Sequence, residues 1–170
     1  NRYYIERHRR NLMIVYPQGV GDTIRMAEWC ADILGEPLEA FGFDRNGNPL
    51  FQCIGFARDN QLVCVVVNYH MTTNGVFSSF AATTPRWASK ENIAAWGNWV
   101  FNQLKMDRVT ATVKKRNKRS RKFVEGVGFQ VEGKLRKAVE GEDMIIYGLL
   151  KEEHENWLRK AFNVQRKHTG

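Results

Sequence analysis

Of the 170 residues, no apolar run approaches the roughly 18–20 that a membrane-spanning helix needs. No secretory leader stands at the start, and because the chain begins at Asn1 rather than Met, a trimmed N-terminus is compatible with it. The three cysteines, Cys30, Cys53 and Cys64, form no close pair; an odd count in apolar surroundings points to buried thiols in a reducing compartment, and none sits in a motif that suggests a nucleophile. His8, His70, His154 and His168 show no metal-ligand spacing, so no metal is expected. Internal repeats and low-complexity tracts are absent. With 43% hydrophobic residues, one core is affordable. The expectation is one domain over 1–170, with a basic segment at 1–11 and a C-terminal helix and tail at 152–170, located in the cytoplasm and not in a membrane.

Acidic residues are missing from one stretch. Lys114–Lys122 (KKRNKRSRK) carries seven basic residues, which account for seven of the +8 net charges. The rest is a near-neutral globule with a weaker patch at Arg7–Arg10, unlike a uniformly basic nucleic-acid binder. No aromatic residue is interleaved before Phe123, so a base-stacking platform is not supported. The band could attract an acidic acceptor, a nucleic acid or a ribosome surface, or be a solvated helix face.

The patterning alternates strands and helices. Strands are expected at Leu12–Tyr16, Phe51–Arg58, Gln61–Tyr69, Val76–Ala82, Arg108–Val113, Phe129–Leu135 and Met144–Leu150. The run Leu62–Val67 suits a strand covered on both faces. Asp59-Asn60 and Asn74-Gly75 read as tight turns. Helices are expected at Thr23–Leu34, capped by Asp22 and closed by Gly35, and at Lys90–Leu104, capped by Ser89, with Ile93, Trp96, Val100 and Leu104 inward. Two more fall at Ser120–Val127, stopped by Gly128, and at Glu152–Phe162. Trp99 and Phe101 read as helix packing.

One stretch carries chemistry. Asn117–Gly133, NKRSRKFVEGVGFQVEG, places an Asn-x-x-Ser turn between a strand and a short one-sided helix that ends at Gly128-Phe129. It resembles the second half of the GNAT acetyltransferase fold, N-x-x-S/A-x-x-F/L-x-E-x-x-G-F. The order β-α-β-β-β-α-β-α-β-β-α is similar to the core of that fold and spans nearly the whole chain. The resemblance implies an α/β (α+β) architecture: a mixed, mostly antiparallel sheet of about seven strands flanked by helices. It also implies acetyl transfer from acetyl-CoA (coenzyme A) to an amine by direct attack. The acceptor would be a protein N-terminus, a lysine or a small amine.

Further residues follow from the resemblance. The linker Thr84–Lys90 precedes a helix N-terminus, whose N–H groups and dipole suit the pyrophosphate. The pantetheine arm would pair along Val76–Ala82, at Phe80 and Ala82, in a cleft beside Arg108–Val113. The phosphate loop of the family, Q/R-x-x-G-x-G/A, is replaced by Pro85-Arg-Trp-Ala-Ser-Lys-Glu91, with Ala88 and Ser89 where Arg or Gln and the first Gly are expected. Arg86 or Lys90 would restore the charge; a surface Arg beside a packed indole is the other reading of Arg86-Trp87. Pro-Arg-Trp-Ala looks like a divergent subgroup with phage-encoded members, which would place the protein in a host cytoplasm or a virion.

Asn117 and Ser120 resemble the pair that sits beside the pantetheine and sulfur in Rim-type ribosomal-protein acetyltransferases, where Ser120 would protonate the thiolate; both are also good helix caps. Val124 stands where many members have an acidic Tyr, which points to the Rim-type branch or an inactive copy. Gly133-x-Leu135-Arg136 and Asp143-x-x-x-Tyr147-Gly-Leu-Leu150 are similar to the ending of that branch. Asp143 would orient the amine or take its proton through water, or be a solvated turn acid. Tyr147 reads as core. The loop Gly19-x-Gly21 would border the acceptor groove, and the basic band would meet the CoA phosphates. The alternatives are a GNAT-fold binding or virion-associated module without catalysis, and a nucleic-acid-associated protein.

Overall fold

The computed structural model describes residues 3–8 and 12–163, and the chain divides into two compact units, Asn1–Trp96 and Gly97–Gly170. The first unit holds β1 (Tyr3–His8), β2 (Leu12–Pro17), α1 (Val20–Leu34), β3 (Gln52–Arg58), β4 (Gln61–Tyr69) and β5 (Gly75–Ala82), and α2 (Lys90–Gly97) crosses the boundary. Its strands lie in the order β1-β2-β3-β4-β5, each antiparallel to the next. Met26, Ala27, Cys30 and Ala31 of α1 pack on Met13, Val15, Cys53, Ala57, Val65, Val67 and Ala81, which makes one face of the sheet the core. Gly55 allows that close approach, since a Cβ there would lie 2.8 Å from Met26 Cε and 3.0 Å from Leu62 Cδ2. Cys64 and Val66, alternating to the other face, are buried too, as the continuous run Leu62–Val67 predicts.

The turn residues behave as their chemistry dictates. Asp59 and Asn60 both take left-handed backbone (φ 49° and 63°), the geometry of a tight hairpin turn. Gly35 closes α1 at φ 69°. The start of α1 differs from expectation: the helix begins at Val20, and Asp22 lies in its first turn. Its Oδ2 accepts the Gln18 N–H at 3.0 Å, and it pairs with Arg25, so it ties down the entering chain from inside the helix. Strand β1 was also not expected. Within Tyr3–His8 three strand-forming residues run straight into charged ones, so no alternation betrays the strand. Of the basic patch Arg7–Arg10, residues 9 and 10 lie outside the described residues, as does His168.

The second unit holds β6 (Arg108–Lys114), α3 (Lys118–Gly126), β7 (Gln130–Val139), β8 (Glu142–Leu150) and α4 (Lys151–Ala161). Strand β8 lies between β6 and β7, antiparallel to both. Val109, Ala111, Val113, Ile145, Tyr147 and Leu149 are among its buried strand residues. The architecture is the mixed α/β one expected, with mostly antiparallel strands flanked by helices.

The helix expected over Lys90–Leu104 stays α-helical only to Gly97, and Asn98–Gln103 widens to a π-helix, with the Leu104 N–H donating to Trp99 O at 2.9 Å. Ile93, Trp96 and Val100 are buried as predicted; Leu104 is only half-buried, whereas Trp99 and Phe101 join the core. At Gly97 a Cβ would overlap the His154 ring. That ring stacks on Phe101 and Trp157, with centroids 5.4 and 6.0 Å away.

Burial holds the His154 imidazole in its neutral form and pushes its pKa down from 6.5 to about 4. The unfolded chain therefore binds the extra proton first. This contribution is fully present above about pH 6.5 and is lost as pH falls towards 4, a decline of about 3 kcal/mol. Denaturant unfolding from pH 7.5 to 4.5 should show this acid leg flattened in His154→Gln; equal slopes in both proteins would refute it.

Candidate functional site

The expected cofactor residues fall in both units, Phe80 to Lys90 in the first and Asn117 and Ser120 in the second. In the first, β5 ends at Ala82 and the chain turns through a single 3₁₀ turn, Pro85–Trp87. Thr84 Oγ1 accepts the Arg86 N–H at 3.3 Å. Trp87 is buried against Phe56 and Phe80, with ring centroids 5.5 and 5.6 Å away, while Arg86 is exposed. Ala88 and Ser89 are half-buried and Lys90 is exposed. Ser89 caps α2 as expected: its Oγ accepts the Asn92 N–H at 3.1 Å, and its carbonyl accepts the Ile93 N–H at 3.0 Å. The first-turn N–H groups of Lys90 and Glu91 precede the first intrahelical bond. Asn92, itself buried, donates from Nδ2 to Trp87 O at 2.5 Å and locks the loop to the helix.

One polar pair of this unit has no sequence signature. Ser78 on β5 donates its hydroxyl to Asn68 Oδ1 on β4 at 2.5 Å. The two are ten positions apart and become neighbours only through the register of β4 on β5. On the opposite face of β5, Ser79 donates to Tyr69 Oη at 3.3 Å.

In the second unit, Asn117 is the N-cap of α3, and its Oδ1 accepts the Ser120 N–H at 3.1 Å. The Ser120 hydroxyl is half-buried and has no hydrogen-bond partner among the described residues. Asp143, the second residue of β8, adjoins the same turn: its carbonyl accepts the Lys115 N–H at 2.8 Å and its Oδ1 the Lys137 N–H at 3.0 Å. Its side chain is thus engaged in closing the β7–β8 hairpin. Tyr147 is core, as read, yet its hydroxyl donates to Glu125 Oε1 at 2.7 Å and accepts from Arg121 Nε at 3.1 Å. This network was not foreseen, because it joins a helix to a strand more than twenty positions away.

The basic band divides. Lys114 faces Glu140 at 3.7 Å, Arg116 faces Glu142 at 2.8 Å, and Arg121 is held by Tyr147 and by Lys115 O at 3.0 Å. Lys115, Lys118, Arg119 and Lys122 are exposed, with no ion pair among the described residues. The thiols offer nothing nucleophilic: burial pushes Cys30 up to about 12 and raises Cys53 and Cys64 as well. No helix among the described residues is long and apolar enough to cross a membrane.

No family model matches the chain, and no curated protein does. Solved structures do match. The ribosomal-protein-S5-alanine acetyltransferase of Vibrio fischeri superposes with a TM-score of 0.64 at 14% identity, over 88% of this chain and 97% of that one. A mutant of the spermidine N-acetyltransferase SpeG from Vibrio cholerae gives 0.65 at 14% identity, over 86% and 97%. Mycobacterium smegmatis RimJ, solved with CoA-disulfide, gives 0.59 at 18%, over 89% of each chain. The chain has the GNAT fold of these acetyltransferases.

The cap at Asn117 is directly testable. Asn117→Ala should cost about 1 kcal/mol in urea unfolding, and Asn117→Asp should retain most of it. No measurable loss in the alanine variant would mean that the Ser120 N–H is satisfied equally well by water.

Proposed function

We propose that the chain is an N-acetyltransferase that moves an acetyl group from acetyl-CoA to an amine. The observation that carries this reading is the likeness of fold along nearly the whole chain to enzymes of that activity, one of them solved with a form of CoA. The thioester is already activated, so the protein must hold two partners and manage two protons. The amine lone pair attacks the thioester carbonyl carbon, the C–S bond breaks, the amine proton passes to solvent and the thiolate takes a proton. Ser120 supplies that last proton in this proposal; its hydroxyl is committed to no other group among the described residues. Asp143 orients the amine.

The pyrophosphate is proposed to lie at the start of α2, with the first-turn N–H groups as donors and exposed Arg86 and Lys90 as counter-charges, alongside Ala88 and Ser89. The pantetheine arm would pair along β5 at half-buried Phe80 and Ala82. Asn117 is proposed as a further cofactor-binding residue. Exposed Lys115, with Lys114 and Arg116 beside it, would draw the 3′-phosphate, and Lys118, Arg119 and Lys122 exceed what one phosphate requires, which leaves them for an acidic partner such as a nucleic acid or ribosome surface. The matched proteins are named for a ribosomal-protein alanine and for spermidine. For this chain the proposed acceptor classes are a protein N-terminus, a lysine or a small amine.

Calorimetry with acetyl-CoA should show saturable binding, and ligand at 100 times Kd should stabilise the fold by roughly 2.7 kcal/mol. A flat response at millimolar ligand would sink the reading. Neutralising Lys114, Lys115 and Arg116 together should weaken CoA and leave dephospho-CoA, which lacks the 3′-phosphate, nearly unchanged. Equal effects on both ligands would remove the band from the cofactor.

Ser120→Ala should lower kcat by about 10²–10⁴-fold with little change in acetyl-CoA affinity, because a proton donated to the leaving group acts in the transition state. Unchanged kcat would leave Ser120 as part of the helix start and no more.

A further inference from the structure

We propose that Ser78 receives the acceptor amine at the thioester end of the cofactor arm, with Asn68 as the residue that positions it; this rests on the acetyltransferase reading. Asn68 and Ser78 are register partners on β4 and β5. Val67 and Ala81 belong to the core under α1, so by alternation Asn68 and Ser78 face the other side of the sheet. Asn68 is wholly buried and Ser78 half-buried.

The hydrogen-bond inventory decides what Ser78 can offer. A hydroxyl has one hydrogen to give and two lone pairs to receive with. The hydrogen of Ser78 goes to Asn68 Oδ1 at 2.5 Å. What remains at Oγ is receiving capacity, which suits the N–H of an amine and not the carbonyl oxygen of a thioester. The Nδ2 of Asn68 has no partner although the side chain is buried. A buried amide donor without a partner is rare in native proteins, and here it marks a place that an oxygen-bearing group completes. The carbonyl oxygens of the pantetheine arm are such groups.

Length puts the thioester at this level of the strand. From phosphorus to sulfur the arm has thirteen bonds, which extended at backbone-like geometry span about 15 Å. Strand rise is about 3.3 Å per residue, so the arm covers between four and five residues. Counting back along β5 from its last residue, Ala82, where the proposed arm enters the strand, reaches the level of Ser79 and Ser78. Ser79 turns to the α1 face, where Tyr69 takes its hydrogen and packs on Phe41 at 5.4 Å between ring centroids. Ser78 is therefore the hydroxyl of the pair that the α1 core does not enclose. In the reaction, the amine donates one N–H to Ser78 Oγ, which aims its lone pair at the thioester carbon. After attack, that proton leaves to solvent as the C–S bond breaks.

The test measures thiol release from acetyl-CoA with two probe amines, spermidine and a hexapeptide with a free N-terminal alanine. Ser78→Ala should raise the KM of whichever amine is acetylated by about three- to tenfold, with the Kd of acetyl-CoA unchanged by calorimetry. Ser78→Thr, which keeps the hydroxyl, should restore it. Ser78→Ala, which leaves the buried Asn68 Oδ1 without its donor, should unfold a few degrees below the parent, and Ser78→Thr at the parent temperature. An unchanged amine KM overturns the proposal, as does a loss that falls on acetyl-CoA affinity instead. So does acetyl-CoA binding with turnover of neither amine. If the unmodified protein does not bind acetyl-CoA at all, the acetyltransferase reading fails first and Ser78 with it.

Discussion

A helix that begins against its own dipole is the constraint on which the second unit depends. Nine-residue α3 has no acidic residue in its first turn and carries Lys118, Arg119, Arg121 and Lys122 close to its positive end. Cations there are unfavourable, by a few tenths to about 1 kcal/mol each at exposed positions. Three contacts hold the helix in place despite this. Asn117 caps it, the Asp143 carbonyl fixes the entering chain through Lys115, and Tyr147 ties Arg121 and Glu125 to β8. A surface that breaks a local rule and spends three supports to keep it is where a functional site is expected. The positive end of the helix and its uncommitted cations add their fields in one direction, which suits a ligand carrying several negative charges.

The helix over residues 90–103 obeys a different necessity. It starts at the Ser89 cap and then buries three consecutive large side chains, Trp99, Val100 and Phe101. The π segment spans these three, and Gly97 leaves room for the His154 ring beside it. A histidine kept neutral by burial thus serves here as a flat aromatic plate between Phe101 and Trp157.

The sheet strands were legible because the short-range signals agreed: β-branched runs, Asp59-Asn60 at a hairpin and glycine stops all pointed one way. Their ends moved by a few residues only, as where β7 runs on to Val139 rather than Leu135. Strand β1 was illegible because Tyr3–His8 shows no apolar–polar alternation; its pairing with β2 is a matter of backbone register. The start of α1 was misplaced because Asp22 signals a cap from either side of the helix entry. Within the site, residues bonded at short range could be read: Asn117 with Ser120, Ser89 with Asn92. Asn68 with Ser78, and Tyr147 with Arg121, could not, because only strand register or helix docking brings them together.

The loop Thr84–Lys90, where the proposed pyrophosphate site lies, holds no glycine, and its backbone takes no conformation that requires one. No residue from Thr83 to Lys90 takes a positive φ. Pro85 presets the 3₁₀ turn, Thr84 caps its start, Ser89 caps the helix that follows, and the buried Trp87 and Asn92 pin the loop. Glycine serves such loops by freeing φ and by letting a ligand approach the main chain closely. Here conformational freedom is replaced by side chains that fill the inner face. The outer face keeps the start of α2, with the exposed Arg86 and Lys90 beside it. Side chains rather than glycines thus hold the loop that leads into α2.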